Sequence, residues 1–133
     1  MIPPRSSLPI LVADQDEQSR NRLTRVLEGE GFRPLPVRTG GEAVEVVRRS
    51  VVAITILDVL LPDLTGIETF ELITSVRGEV QGIFLARERS KDMLVRLLDA
   101  GAFTVLHKPP RIEVLLETVR RLASRIAKDQ RTY

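Results

Sequence analysis

The amino-acid sequence predicts an α/β domain built around a parallel β-sheet with helices on both faces. Five short apolar segments alternate along the chain with five stretches of helical periodicity. The short segments are apolar throughout and do not alternate with polar residues, which is typical of strands buried on both faces. The length of 133 residues suits one domain with one proper hydrophobic core.

The first predicted strand and helix lie close to the N-terminus. The apolar run 8–13 predicts the strand, and Leu23, Val26 and Leu27 recur at helical spacing after it. Glycines, the last of them Gly31, are expected to end this helix.

The second strand is predicted at residues 32–37, and it contains Pro34 and Pro36. Proline has no N–H to donate to a neighbouring strand, so this strand is expected at an edge of the sheet. Thr39 and Glu42 then have the spacing of a capping box, which predicts the start of the second helix.

Three further predictions cover the middle of the chain. Residues 51–57 indicate a buried strand, and Thr65 with Glu68 forms a second capping box at the start of the third helix. Residues 82–85 predict a short fourth strand.

The last two helices and the fifth strand follow. Ser90 is a suitable N-cap for the fourth helix, and Gly101 is expected to end it in a left-handed turn. Residues 104–107 predict the fifth strand. The last helix carries one apolar stripe, formed by Ile112, Leu115, Leu116, Val119, Leu122 and Ile126.

Composition limits the classes of function. A net charge of +2, from 20 basic and 18 acidic residues, gives no reason to expect direct binding to nucleic acid. The absence of cysteine excludes disulfides and thiolate metal sites and fits a reducing compartment. The longest apolar run, 51–57, is too short to span a bilayer. We therefore expect a cytoplasmic domain over residues 8–128, with tails at 1–7 and 129–133 and no membrane partner.

Polar side chains stand at the ends of three predicted strands. The first strand runs into Asp14, the third into Asp58, and the fifth is followed by Lys108. Because the carboxyl ends of parallel strands meet at one edge of the sheet, these side chains are expected to gather in one site. Two facing carboxylates call for a cation between them, and Mg²⁺ prefers such oxygen ligands. A carboxylate beside a metal and a lysine can act as a nucleophile toward a phosphoryl group.

Three segments also carry a family resemblance. They are Ile-Leu-Val-Ala-Asp14-Gln-Asp-Glu, Leu57-Asp58-Val-Leu-Leu-Pro62-Asp-Leu-Thr-Gly66, and Ala100-Gly101-Ala102 followed by Lys108-Pro109. In this order and spacing they resemble the receiver domain of bacterial response regulators, the phosphate-accepting domain of two-component signalling. The resemblance extends from Leu8 to Lys128.

The resemblance implies a flavodoxin-like fold with a five-stranded parallel sheet in the order 2-1-3-4-5, five helices, and a cis peptide between Lys108 and Pro109. It implies that Asp58 accepts a phosphoryl group from a sensor histidine kinase or a phosphotransfer protein, assisted by Lys108. Such a domain takes part in its own phosphorylation without being a classical enzyme. The implied Mg²⁺ ligands are Asp14, Asp58, the backbone carbonyl of Leu60 and, weakly, Gln15.

Four positions depart from the family pattern. Gln15 replaces the second acidic residue, so Mg²⁺ affinity is expected to fall. Ala86 replaces the hydroxyl residue that hydrogen-bonds the phosphoryl group, and Val105 replaces the aromatic switch residue. Leu60 places an apolar group beside the acceptor, which is expected to hinder water and to lengthen the life of a phosphorylated form. The usual relay from phosphate to output surface is therefore expected to be weak.

Two functions remain open at this point. The first is a receiver that is phosphorylated on Asp58 and signals weakly. The second is a phosphorylation-independent pseudo-receiver that docks a protein partner, which Gln15, Ala86 and Val105 favour. Simple structural roles also remain for some residues: Asp16 is expected to be a helix N-cap, and Asp14 has the same alternative. A homodimer is compatible with either function, and the sequence does not identify the downstream partner.

Overall fold

Five strands and five helices alternate in the computed structural model, which describes residues 8–131 and, in the last helix, side chains as far as residue 128. The predicted N-terminal tail, 1–7, lies outside the described residues, as do residues 132 and 133 of the predicted C-terminal tail. In chain order the elements are β1 (Pro9–Ala13), α1 (Glu17–Gly29), β2 (Arg33–Val37), α2 (Gly40–Arg49), β3 (Ile54–Asp58), α3 (Gly66–Val76), β4 (Gln81–Ala86), α4 (Lys91–Asp99), β5 (Thr104–His107) and α5 (Ile112–Arg131). The division into a domain and two tails stays a prediction.

The strands form one parallel sheet in the order β2-β1-β3-β4-β5. This order confirms the expected topology. Among the described residues, the strand with two prolines, β2, pairs only with β1 and lies at the edge, as Pro34 and Pro36 predict.

The helix starts follow the predicted caps. Both capping boxes are present: Thr39 accepts from the N–H of Glu42, and Thr65 accepts from the N–H of Glu68. Two single N-caps are confirmed as well, at Asp16 and Ser90. At the other end of α4, Gly101 has a φ of 97°, the left-handed conformation expected of it.

The third strand is shorter at its start than predicted. The apolar run begins at Val51, but pairing with β4 begins at Ile54, and Val51 is 73% exposed. An apolar run marks residues that prefer burial, whereas a strand begins where a partner strand offers hydrogen bonds. At its other end β3 includes Asp58, so the candidate acceptor is part of the sheet.

The hydrophobic core has two layers, one on each face of the sheet. Because strand side chains alternate, Leu11 and Ala13 face one layer while Ile10 and Val12 face the other. The first layer lies beneath α2, α3 and α4, and the second beneath α1 and α5. Burial on both faces fixes the strands, and with them the residues at the strand ends.

The last helix covers the second layer with its predicted stripe. Leu115, Val119 and Leu122 are buried, and Leu116 and Ile126 pack against them in part. Across residues 8–131, none of the helices is both long enough and apolar enough to cross a membrane.

Candidate functional site

Three side chains from distant parts of the chain meet at the carboxyl edge of the sheet. The Nζ atom of Lys108 lies 2.8 Å from Oδ1 of Asp14 and 2.6 Å from Oδ2 of Asp58. Asp14 is 0%, Asp58 5% and Lys108 4% exposed. The convergence expected from the strand ends is confirmed.

The sheet positions each of these residues through its backbone. The N–H of Asp14 continues the β1–β2 ladder by donating to Val37, at 3.1 Å. Asp58 pairs with Leu85 of β4. The N–H of Lys108 donates to the carbonyl of Ala86, at 3.0 Å.

The peptide between Lys108 and Pro109 is cis, as expected from the resemblance. It directly follows the buried lysine, at the start of the segment that leads from β5 to α5.

Lys108 is charged in this buried position because its partners are charged. Burial alone lowers the pKa of Lys108, but the hydrogen bonds to Asp14 and Asp58, together with their negative charges, outweigh it and raise the pKa above its ordinary value of 10.5. The ammonium group therefore holds together two carboxylates that would otherwise repel each other.

Asp14 has further donors that the sequence did not reveal. The hydroxyl of half-buried Ser19 donates to Oδ2, and the N–H of Asp16 donates to Oδ1 at 2.9 Å. Arg20 donates to the backbone carbonyl of Asp14 at 2.8 Å. Ser19 lies in the first turn of α1. Its polar side chain, at a helix position close to a strand end, was the one feature of the sequence that could have indicated a contact with Asp14.

The loop after β3 completes the acidic pocket. The N–H of Leu60 donates to Oδ1 of Asp58 at 3.0 Å, and the carbonyl of Leu60 accepts from the side-chain amide of Gln15 at 3.2 Å. Gly66 packs closely against the backbone of Asp58. The predicted metal ligands therefore lie around one pocket.

The donor set of this pocket fits Mg²⁺. Two carboxylates and the carbonyl of Leu60 are hard oxygen ligands, and Mg²⁺ commonly uses one or two carboxylates and completes its shell with water. Gln15 directs its NH₂ group at the carbonyl of Leu60. To offer a cation its oxygen, it has to give up that hydrogen bond and turn its amide. Within the described part of the chain no group of three or more acidic or histidine side chains is placed so that it could hold a metal ion.

The two positions predicted to be degenerate switch positions lie on β4 and β5. Ala86 ends β4, is fully buried and has no side-chain donor. Val105 of β5 pairs with Phe84 and packs in part against the first core layer. Leu60 is 62% exposed at the mouth of the pocket.

A cavity of about 250 Å³ adjoins the buried lysine. It lies between the start of α1 and the segment after β5, and its lining includes Ser19, Arg22, Arg87, Lys108 and Pro109. Sequence reasoning missed Arg22 and Arg87. Arg87 follows the end of β4 directly, which is the signal that could have identified it.

The fold and the site together define a class: an α/β domain with a parallel sheet of order 2-1-3-4-5 and a carboxylate–lysine pocket at its carboxyl edge. Residues 10–120 match the family described as the response regulator receiver domain. The match covers most of the chain, so the protein belongs to this family and is a receiver domain of two-component signalling.

Individual relatives agree with this assignment. The chain is 34% identical over 120 residues to the response regulator MprA of Mycobacterium leprae, with 90% of this chain and 53% of the relative covered. A crystal structure of a CheY-like receiver domain protein from Methanospirillum hungatei JF-1 superposes with a TM-score of 0.87 at 27% identity, covering 92% of this chain and 99% of that one. The beryllofluoride-activated NtrC4 receiver domain dimer gives a TM-score of 0.84 at 27% identity, covering 90% and 98%. The chain spans about half the length of the curated relatives it matches.

Receiver domains as a family interact with histidine kinases and phosphotransfer proteins, and they generally bind Mg²⁺ at the acidic pocket. They are generally not classical enzymes.

Proposed function

We propose that this receiver domain accepts a phosphoryl group on Asp58 from a sensor histidine kinase or a phosphotransfer protein. The observation that carries the proposal is the contact of Lys108 with both Asp14 and Asp58 in a buried pocket. An Asp58 carboxylate oxygen attacks phosphorus, the bond from phosphorus to the donor's histidine nitrogen breaks, and the nitrogen keeps that electron pair. The domain assists its own phosphorylation and is not a classical enzyme.

Each neighbour of Asp58 has a part in this transfer. Lys108 has three N–H donors and gives two of them to the carboxylates, so one is left for a phosphoryl oxygen. The N–H of Leu60 holds the second oxygen of Asp58 in place. Asp14, Asp58 and the carbonyl of Leu60 would hold Mg²⁺, with Gln15 as a weak fourth ligand. The cation would supply positive charge that stabilises the transferring oxygens.

The departures from the family pattern make the response weak. Ala86 offers the phosphoryl group no hydroxyl, and losing a hydrogen bond to a charged group costs about 1.5–3 kcal/mol. A typical coupling energy between two sites is of the same order, ~1–3 kcal/mol. Val105 is too small to exchange between exposed and buried positions as an aromatic ring does. Leu60, exposed beside the acceptor, restricts water and prolongs the life of the phosphorylated form.

The proposal also covers the cellular compartment and the oligomeric state of the domain. A cysteine-free chain suits the reducing cytoplasm, where we place the exchange. A homodimer is proposed because the related NtrC4 receiver is described as a dimer. Membership of the receiver family does not favour the alternative of a phosphorylation-independent docking module.

The test is incubation with Mg²⁺ and acetyl phosphate, followed by mass spectrometry of the intact chain. We expect a gain of one phosphate in the wild type and none in Asp58→Asn, because the amide cannot form the acyl phosphate. Asp99→Asn is the matched control, since Asp99 ends α4 away from the pocket, and it should gain phosphate normally. No gain by the wild type over a wide range of Mg²⁺ concentration would leave only the docking module.

A further inference from the structure

The phosphoryl site that Asp58 would form is short of donors on the side of β4. A phosphoryl group has three terminal oxygens, and Lys108 has one N–H left after binding Asp14 and Asp58. Ala86, at the end of β4, contributes only its backbone. Beyond Mg²⁺ and Lys108, a phosphoryl group in this pocket therefore needs further hydrogen-bond donors near the end of β4.

Arg87 is placed to supply them. It follows Ala86 at the end of β4, and the strand is tied to the acceptor because the N–H of Val59 donates to the carbonyl of Leu85 at 3.0 Å. The Arg87 side chain lines the cavity whose wall includes Lys108.

Its guanidinium group is also available. Among the described residues, Arg87 has no ion pair or hydrogen-bond partner, whereas Lys108 already has two carboxylates. Arg22 lines the same cavity but belongs to α1, on the opposite side from β4. Of the two cavity arginines, Arg87 is the one that directly follows the strand paired with the acceptor strand.

We propose that Arg87 binds the phosphoryl group on Asp58 and supplies the contact that Ala86 lacks. The inference rests on the proposed function. A guanidinium group presents planar N–H donors that match two phosphoryl oxygens at once, and it keeps its charge at every physiological pH. With acetyl phosphate as donor, the bond between phosphorus and the acetate oxygen breaks, the bond to the Asp58 oxygen forms, and acetate leaves as the carboxylate.

The first experiment compares the rate of phosphate gain from acetyl phosphate at saturating Mg²⁺. Arg87→Gln keeps the length and polarity of the side chain but removes its charge, and it should gain phosphate about tenfold more slowly. Arg87→Lys should gain phosphate at a rate between those of the wild type and Arg87→Gln, because it keeps the charge and loses the planar pair of donors. Arg89→Gln is the control: Arg89 lies two residues further along the same exposed segment and should react at the wild-type rate.

The second experiment asks whether Ala86 and Arg87 serve the same group. Ala86→Ser restores a hydroxyl at the end of β4, and in the Arg87→Gln background it should recover most of the lost rate, while in the wild type it should add little. A purely structural role of Arg87 does not predict this rescue. Urea unfolding of each variant checks that the fold is retained.

The outcomes separate the two proposals. If the wild type takes no phosphate on Asp58, the proposed function fails and the role of Arg87 fails with it. If the wild type is phosphorylated but Arg87→Gln reacts as fast or faster, only the role of Arg87 is overturned. The same holds if Ala86→Ser recovers none of a lost rate.

Discussion

At Lys108, one ammonium group contacts two buried carboxylates and offsets one of their two negative charges. Taking charges out of water is costly, and the cost is offset only where partners and hydrogen bonds are in place. Asp14 meets this condition through Lys108, Ser19 and Asp16, and Asp58 through Lys108 and Leu60.

Removing the ammonium group should therefore destabilise the fold. We expect Lys108→Met to lower the free energy of unfolding at neutral pH by about 3–5 kcal/mol, since it leaves two carboxylates buried without a counter-charge. Lys91→Met is the control, because Lys91 is exposed at the start of α4 and its loss should change stability by less than about 0.5 kcal/mol. Urea unfolding followed by circular dichroism measures both. Equal losses in the two variants would contradict the prediction.

The same ion pairs set a pH dependence. The pKa of Lys108 is raised in the folded state, so the folded protein holds this proton more tightly than the unfolded chain does. The stability that the ion pairs of Lys108 contribute is fully present at a pH below the pKa of the unfolded chain. It is lost as the pH rises through the pKa of the folded protein, which lies above 10.5. The difference in stability between wild type and Lys108→Met should accordingly shrink in alkaline solution.

The residues of the pocket were predictable to different degrees. Asp14, Asp58 and Lys108 could be predicted because strand ends on one edge of a parallel sheet must converge. Ser19 and Arg87 were missed, because the rotation of α1 and the course of the loop after β4 do not follow from an apolar pattern, and nearness to a strand end was the one signal for each.

At the scale of elements, local side chains fix where helices start. Beyond the caps read from the sequence, Asp63 in the loop after β3 accepts from the N–H groups of Gly40 and Gly41, both at 2.8 Å. The bond from Gly41, with that from Gly40, outweighs burial and lowers the pKa of Asp63 below its usual 3.8. This contact ties the start of α2 to the loop that carries Leu60, and no sequence spacing indicated it.

The start of α3 should be the most sensitive glycine position in the site. A Cβ at position 66 would lie 2.6 Å from the carbonyl oxygen of Asp58 and 2.8 Å from Cα of Val59, and neither backbone atom can move freely. We expect Gly66→Ala to destabilise the protein by about 1–3 kcal/mol.

The matched control for this prediction is Gly29→Ala. A Cβ at the end of α1 would meet no atom of the described residues within 4 Å, and the backbone there needs no positive φ. Alanine restricts the unfolded chain, so this variant should gain roughly 0.4–1 kcal/mol. Thermal unfolding of both variants decides the matter, and equal midpoints would show that the contact at Gly66 has no energetic consequence.

Element boundaries were the least predictable part of the fold. The caps identified four helix starts because each depends on one side chain near its own backbone. The start of β3 depends on β1 and β4, which lie far away in the sequence, and the apolar run from Val51 gave no sign that pairing begins at Ile54.

For the whole molecule, the sheet separates two core layers that share no side chain. Ile73 of α3 is fully buried in the first layer and Ile56 of β3 is 1% exposed in the second. Both layers nevertheless depend on the same five strands, so they are expected to unfold together.

Because the two layers share no side chain, the destabilisation caused by a mild truncation in one layer should add to that caused by a mild truncation in the other. Ile73→Val and Ile56→Val should each cost about 0.5–1.5 kcal/mol, and the double variant should lose the sum to within about 0.5 kcal/mol. All three should unfold in a single transition. A second transition in the double variant would mean that the layers unfold separately, and a clearly larger loss than the sum would mean that they are energetically coupled. Either result would contradict the prediction.

The prolines of β2 also limit how copies of this domain can associate. The N–H of Arg33 and the carbonyl of Val37 point toward β1, where they bond with Leu8 and Asp14, so positions 34 and 36 point outward. Both are proline, so the outer edge of β2 presents carbonyl groups at these positions but no amide hydrogen. An incoming strand from another polypeptide would find too few donors to bond with, which protects this edge from fibril-like extension and directs any self-association to other surfaces.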